Sequence, residues 1–415
     1  MRLSIANEIR SFEDADTRAQ IIKWTDSAAK DQHLYFTSPS VTDDGRWLVI
    51  ISERSGGPDL YALHREDRTL SKLTRAGKLL RSYTYPMGGP TGLSKASPYL
   101  DAVRNLVYWI QDDSLWRADL ECDGEAVRLC DLPNGWVGGY SHISADGSRF
   151  CIACTDPRAF SDSDRNQQDQ LRKTPWRMLK HGLKSAVLVI CTQTGAILRR
   201  HDLPFWVTHV QFDPQNIERL LCNSEGGVGS NAIRKFPYWG RIWMLEPDGN
   251  YRRFYDQAEW RSMNHENWNP DGSLILYHGR EALGFLSRWK TRLCSLSRRS
   301  FGMKSNAGQH HSHFVEALDR DGRRVFSLAT GHPVSHAIMA WSGVDFLMDS
   351  RNGFIYRGSL QSNGGCAITV ICRHRSSMVG QDAHPHPVWT TKRSGVVYTS
   401  DADGSCNVYE AEVSS

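Results

Sequence analysis

An all-β fold, a seven-bladed β-propeller whose N-terminal strand closes the C-terminal blade, is what this 415-residue sequence predicts. Three observations carry that expectation. A short signature keeps returning along the chain: a polar or aromatic stretch, then Asp-Gly or a relative of it, then a strongly β-forming run. Each copy is followed by a further strand. The composition, with 14 Trp, 34 Gly and 40% hydrophobic residues, suits strands and tight turns better than long helices.

The signature reads TDDGRWLVIIS from Thr42, SADGSRFCIAC from Ser144, NPDGSLILYHG from Asn269, DRDGRRVFSLA from Asp319 and, decayed, TTKRSGVVYTS from Thr390. YLDAVRNLVYWI from Tyr99 and DPQNIERLLCN from Asp213 fall where the spacing demands a unit. The companion strands are DLYALHR, SLWRADLE, AVLVICTQ, RIWMLEP, RLCSLSR, FIYRGSL and NVYEAEV. Units of about 58 residues, each with three or four antiparallel strands, pack radially around an axis. The last unit lacks an outer strand, while AQIIKWT (Ala19–Thr25) has no unit of its own, and pairing the two removes an open sheet edge. The chain 1–415 is thus read as one domain.

Charge and hydropathy narrow the function. A net charge of +4, with no basic run and no aromatic-interleaved patch, argues against nucleic acid and is compatible with an acidic small substrate. The N-terminal MRLSIANEIRSFEDADTR has no signal-peptide core, and no run of apolar residues is long enough to span a membrane. A soluble, cytoplasmic protein is expected, and nothing in the sequence speaks to its oligomeric state. The ten cysteines have no framework spacing, and Cys151 and Cys154, three apart on a strand, face opposite sides as core residues. Longer inserts occur around 155–185, 226–240 and 330–346. The first should hold a helix from Arg165 to Lys173 that ends ahead of Pro175.

The strand before each Asp-Gly turn is the innermost of its blade, so histidines near its start approach the axis. His142 and His209 precede their turns by four residues, His265 precedes Asp271 by six and His313 precedes Asp321 by eight. His384 and His386 lie in MVGQDAHPHPVW, where two prolines rule out helix. In an extended segment these two imidazoles point the same way. Prolines on an innermost strand cost no ladder bond at its unpaired edge. Gln381, His384, His386 and His313 together offer three imidazole nitrogens and one amide oxygen to a divalent cation, a set that suits Mn²⁺, Fe²⁺ or Zn²⁺. His310 and His311 are rivals to His313. His265 is a fifth ligand or a free base beside the metal. Arg241, opening an apolar strand, is either a structural ion-pair partner or an anion-binding group. Trp136, Trp206, Trp268 and Tyr35 are core residues or sugar-stacking platforms.

Several of these segments, GQDAHPHPVW with YTSDADGSCNVYEAEV, SMNHENWNPDGS, HSHFVEALDRDG, WVGGYSHISADGS and RIWMLEPDG, resemble the oligogalacturonate lyases, seven-bladed propellers of bacterial pectin breakdown. The similarity runs nearly end to end, and the Q-x-x-H-P-H-P element is its most specific part. The resemblance implies Mn²⁺ held by Gln381, His384, His386 and His313, a catalytic base at His265, a substrate-binding Arg241 and a substrate-proximal His209. It also implies β-elimination of an anionic uronate oligosaccharide. Three departures stand out: CNSEGG in place of Cys-His-Glu-Gly, a following insert VGSNAIRKFPYWG longer than usual, and only a loose match at DQHLYF. A metal-dependent lactonase or esterase, and a non-catalytic binding scaffold, are the other function classes compatible with the fold.

Overall fold

The computed structural model describes residues 2–74, 98–122, 125–161, 164, 167–225, 236–238, 240–258, 260–282, 311–340, 342–361, 365–380, 382–390 and 395–413. These form seven antiparallel sheets, each a blade numbered here in chain order. The innermost strands are Asp31–His33, Tyr99–Asp101, Val137–Ile143, Val210–Asp213, Arg261–Trp268, Val334–Met339 and Val388–Trp389. Each is followed outward by strands consecutive in sequence, so the second to sixth blades are simple meanders, while the first and seventh also take in strands from the N-terminal segment. None of the described helices is long and apolar enough to cross a membrane.

Alternation along the strands builds the core between blades. In Trp47–Ser52 of the first blade, Trp47, Val49 and Ile51 pack with Val107 and Trp109 of the second, while Leu48 and Ile50 face the opposite way onto Tyr35 and Val397. Cys151 and Cys154 likewise belong to different clusters on the two faces of the third blade, both as free thiols. The ring is closed as expected. Gln20–Lys23 pairs with the C-terminal strand Asn407–Glu412, Ile21 opposite Ala411 and Lys23 opposite Tyr409, and Arg10–Glu13 adds a further strand outside it. Arg2–Ser4 pairs with Thr69–Lys72 and extends the first blade.

Two expectations fail. The Asp319 signature opens no blade: it is the hairpin between the third and fourth strands of the fifth blade, His311–Leu318 and Arg324–Ala329. Asp319 Oδ1 accepts the N–H groups of Asp321 and Arg323 there, a turn chemistry that any hairpin can use. The sixth blade instead turns at Ser342 and Gly343 between Val334–Met339 and Asp345–Ser350, with Gly343 at φ 68°. The RLCSLSR companion strand lies outside the described residues. The helix runs Gln167–His181, through Pro175. It is held by its surroundings: Thr174 and Met178 are fully buried and Arg177 pairs with Asp164 at 3.1 Å, so packing offsets the backbone bond that proline removes.

Candidate metal centre and active site

The hub histidines come from strands that bulge. In the fifth blade the pairing register shifts between Asn264 and Asn267, and His265 sits in that bulge at φ 57°. In the sixth, the register shifts between Val334 and His336. A bulge inserts an extra residue and re-aims its side chain, which is how both imidazoles turn to the axis. The His-Pro-His-Pro segment is not uniformly extended: His386 adopts φ 45°, and His33 Nε2 holds its carbonyl oxygen at 2.6 Å, with His33 Nδ1 on Thr399 Oγ1 at 2.7 Å.

His336, His384 and His386 bring one ring nitrogen each to within 4.8 Å of one another. Ring centroids are 4.1 Å apart for His336 and His386 and 5.6 Å for each of the other two pairs. Behind His336 stands the buried Asp349, whose Oδ1 accepts the His336 backbone N–H at 2.7 Å while both carboxylate oxygens lie within 3.2 Å of Nδ1. Burial would raise the Asp349 carboxyl, but His336 holds it below its usual value. With Nδ1–H donating to Asp349, the His336 lone pair is on Nε2, the tautomer a metal ligand needs.

His313 is not in this group. It lies on the third strand of the fifth blade, opposite Arg280, two strands out from the axis. The cause is the misassigned turn: counting back from Asp321 finds an outer strand, whereas counting back seven from Gly343 finds His336. His311 shares the outer strand; Gln381 and His310 lie outside the described residues. His142 is also misplaced by the count, since it lines a cavity of about 240 Å³ at the opposite mouth of the channel, with Gln211, Trp268 and Trp389.

His265 stands beside the cluster, its ring centroid 4.7 Å from that of His336, and its Nδ1 is 2.7 Å from His278 Nε2. Burial, then the neighbouring His336, His278 and Arg241, push its imidazole well below the usual value, so it is neutral near pH 7. His209 is lowered well below its usual value by burial and by Arg241. It stacks on Tyr140 at 4.2 Å, and Tyr35 OH reaches its Nε2 at 3.3 Å. Asn223, the departure in CNSEGG, accepts the backbone N–H groups of both Thr208 and His209 at 2.8 Å and so sets the His209 backbone.

Arg241 is buried, with Nε 2.5 Å from Glu266 and NH1 3.3 Å from Glu225. Burial raises the Glu266 carboxyl against the pull of Arg241. Tyr35, Trp206 and Trp268 are buried core residues, and Trp136 is half-buried under the Arg200 guanidinium. Sequence reasoning missed His336, Asp349, His278 and His33. Only His336 carried a signal, its position ahead of a Ser-Gly turn.

A family model described as oligogalacturonate lyase matches residues 2–415. The oligogalacturonide lyase of Pectobacterium atrosepticum is 22% identical over 97% of this chain and 95% of its own length, and the oligogalacturonate lyase of Dickeya dadantii is 21% identical over the same shares. Among solved structures, an oligogalacturonate lyase in complex with manganese superposes with a TM-score of 0.75 at 19% identity, covering 100% of this chain and 98% of that one. The oligogalacturonate lyase of Vibrio parahaemolyticus does so at 0.74 and 19%, with the same coverage. On the family match across its whole described length, this chain belongs to the oligogalacturonate lyase family, a family of carbon–oxygen lyases.

Proposed function

We propose that this protein is a metal-dependent lyase that cleaves short oligogalacturonides by β-elimination, in the cytoplasm. The observation that carries the reading is the convergence of His336, His384 and His386 beside a neutral His265 in a chain of this family. Three imidazoles, one with its tautomer set by a carboxylate, suit a divalent transition ion, and Gln381 is the proposed amide ligand. Mn²⁺, the ion in the related solved structure, fits that donor set and would supply positive charge where a uronate carboxylate binds.

The chain's own residues do the rest. In the tautomer in which His265 Nδ1 carries the proton shared with His278 Nε2 at 2.7 Å, the His265 Nε2 lone pair takes the C5 proton. The C5–H electrons become the C4–C5 double bond, and the C4–O bond breaks with its pair going to the leaving sugar oxygen, which then takes a proton. Arg241, held between Glu266 and Glu225, lies close enough to His265 and His209 to lower both imidazoles and is the proposed substrate-binding arginine. His209, set in place by Asn223, lies on the same side of the hub as a substrate contact.

The test is direct. Digalacturonate with Mn²⁺ should give the ultraviolet absorbance of an unsaturated uronide, and a chelator should abolish it. No absorbance from any galacturonate oligomer would sink the reading.

A further inference from the structure

The face of the fifth blade that packs against the sixth changes character along its length. Leu276, Val315 and Ala317 lie in the apolar core shared with Ala337 and Phe346. Two residues further along each strand, the same face carries His278, then Arg280 opposite His313, and finally His311. From across the cleft the sixth blade adds His332, and Arg351, whose backbone N–H donates to Pro333 O at 3.2 Å. Thr330 N–H donates to His313 O at 3.0 Å and carries the ladder between the third and fourth strands of the fifth blade out to this rim.

Among the described residues, the side chains named on this rim are cations and imidazoles. Among residues 275–282 and 311–318, the two glutamates point to the other face of the sheet, Glu281 to Arg261 at 3.4 Å and Glu316 to Arg261 at 2.7 Å. Arg280 and Arg351 are exposed and form no ion pair among the described residues. Burial and then Arg280, His311, His332 and Arg351 keep the His313 imidazole below its ordinary value, as expected where positive charges crowd together. The rim is also continuous with the hub, because His278, two residues from Arg280 on the same strand face, touches His265. Surface arginines elsewhere in the chain are commonly paired, as Arg46 is with Glu121 and Arg373 with Asp16.

We propose that Arg280, Arg351 and His313 form a carboxylate-binding subsite that receives a third uronate of the substrate, beyond the two that flank the scissile bond at the hub. This rests on the lyase reading above. Guanidinium groups recognise carboxylates through paired charge-assisted hydrogen bonds, and an unpaired pair at a cleft rim offers them without first breaking an ion pair. The subsite makes the enzyme favour oligomers long enough to place a carboxylate there while the scissile bond sits at His265.

The test measures binding and turnover separately. In a His265→Ala background, titration calorimetry with trigalacturonate should show about tenfold weaker binding after Arg280→Gln and Arg351→Gln together, with the difference shrinking in high salt. Lysine at both positions should recover most of the affinity. In the otherwise native enzyme, the glutamine pair should lower the ratio of kcat/KM for trigalacturonate over digalacturonate by a similar factor. Equal affinity and an equal ratio in the glutamine variant would overturn the subsite while leaving the lyase reading intact. So would a lysine variant as weak as the glutamine one, since the loss would not then follow charge. Absence of any unsaturated product from the native enzyme would remove the lyase reading itself.

Discussion

Asp349 grips His336 twice, taking its backbone N–H at 2.7 Å and facing its Nδ1 with both oxygens at 3.1 and 3.2 Å. Asparagine at this position keeps the backbone contact through its amide oxygen but turns an N–H toward Nδ1. The imidazole would then carry its proton on Nε2, aimed at the metal. Asp349→Asn is therefore expected to weaken Mn²⁺ binding by about 10- to 100-fold, read by electron paramagnetic resonance titration. His336→Ala should be weaker still. An Asp349→Asn protein that bound Mn²⁺ as tightly as the native one would show that the carboxylate does not set the tautomer.

His265 is the proposed base: its Nδ1 faces His278 Nε2 at 2.7 Å, which leaves its Nε2 for the substrate, and burial keeps it uncharged. Its replacement by alanine is expected to lower kcat by roughly a hundred- to ten-thousand-fold while Mn²⁺ still binds. Product absorbance gives the rate, and the metal titration shows that the hub survives. Retention of most of the turnover would move the base elsewhere.

The fold was legible because blade periodicity and strand alternation are local properties. The Ile21 strand, apolar at alternate positions and without a unit, pointed to closure, and Ile21 does pair with Ala411. The candidate site was legible only where a motif is compact. His384 and His386 were readable from two prolines and their spacing. His336 was not, because its blade turns at Ser342–Gly343 with no Asp-Gly, while a true Asp-Gly hairpin at Asp321 lay in an outer position and drew His313 into the count. Asp349, His278 and His33 act through cross-strand neighbours, and single-sequence spacing holds no trace of which strands lie side by side.

Acid should destabilise the metal-free protein in a defined direction. Burial, followed by the nearby His336, depresses the His278 imidazole to about 3, below the ordinary 6.5. A depressed folded value means that the unfolded chain binds the proton first, so stability falls as pH drops below about 6.5 and keeps falling until about 3. The slope for one such group is about 1.4 kcal/mol per pH unit. His209 and His265 are shifted in the same direction and add to it. Urea midpoints at pH 7 and pH 5 measure the effect, and equal midpoints would contradict the burial of neutral imidazoles.

Arg241 has a structural duty besides any contact with substrate. Its guanidinium is buried between Glu266 and Glu225, and Glu225 Oε1 also accepts Thr208 Oγ1 and Asn223 Nδ2, each at 2.8 Å. Arg241→Met leaves two carboxylates buried without their cation, a loss expected to cost about 3–5 kcal/mol of unfolding free energy. Urea unfolding without metal or substrate reads this alone. A change below about 1 kcal/mol would show that the network is not structural.

The seventh blade depends on a strand from the far end of the chain. Without Gln20–Lys23, the strand Asn407–Glu412 would expose its backbone edge, and Trp24 Nε1 could no longer donate to Glu410 Oε2 at 2.8 Å. An open edge in a closed ring leaves a template for pairing with another chain. Deleting residues 1–24 is expected to abolish the cooperative thermal transition and to shift the protein to high-mass species on size exclusion. Ile21→Asp tests the same contact with the chain intact. Ile21 is 1% exposed and packs with Val396 and Leu347, so a carboxylate there puts an unpaired charge into the blade core. That variant should lose more than about 4 kcal/mol. A monomeric, cooperatively melting deletion protein would show instead that three strands suffice for the last blade and that the N-terminal segment only covers it.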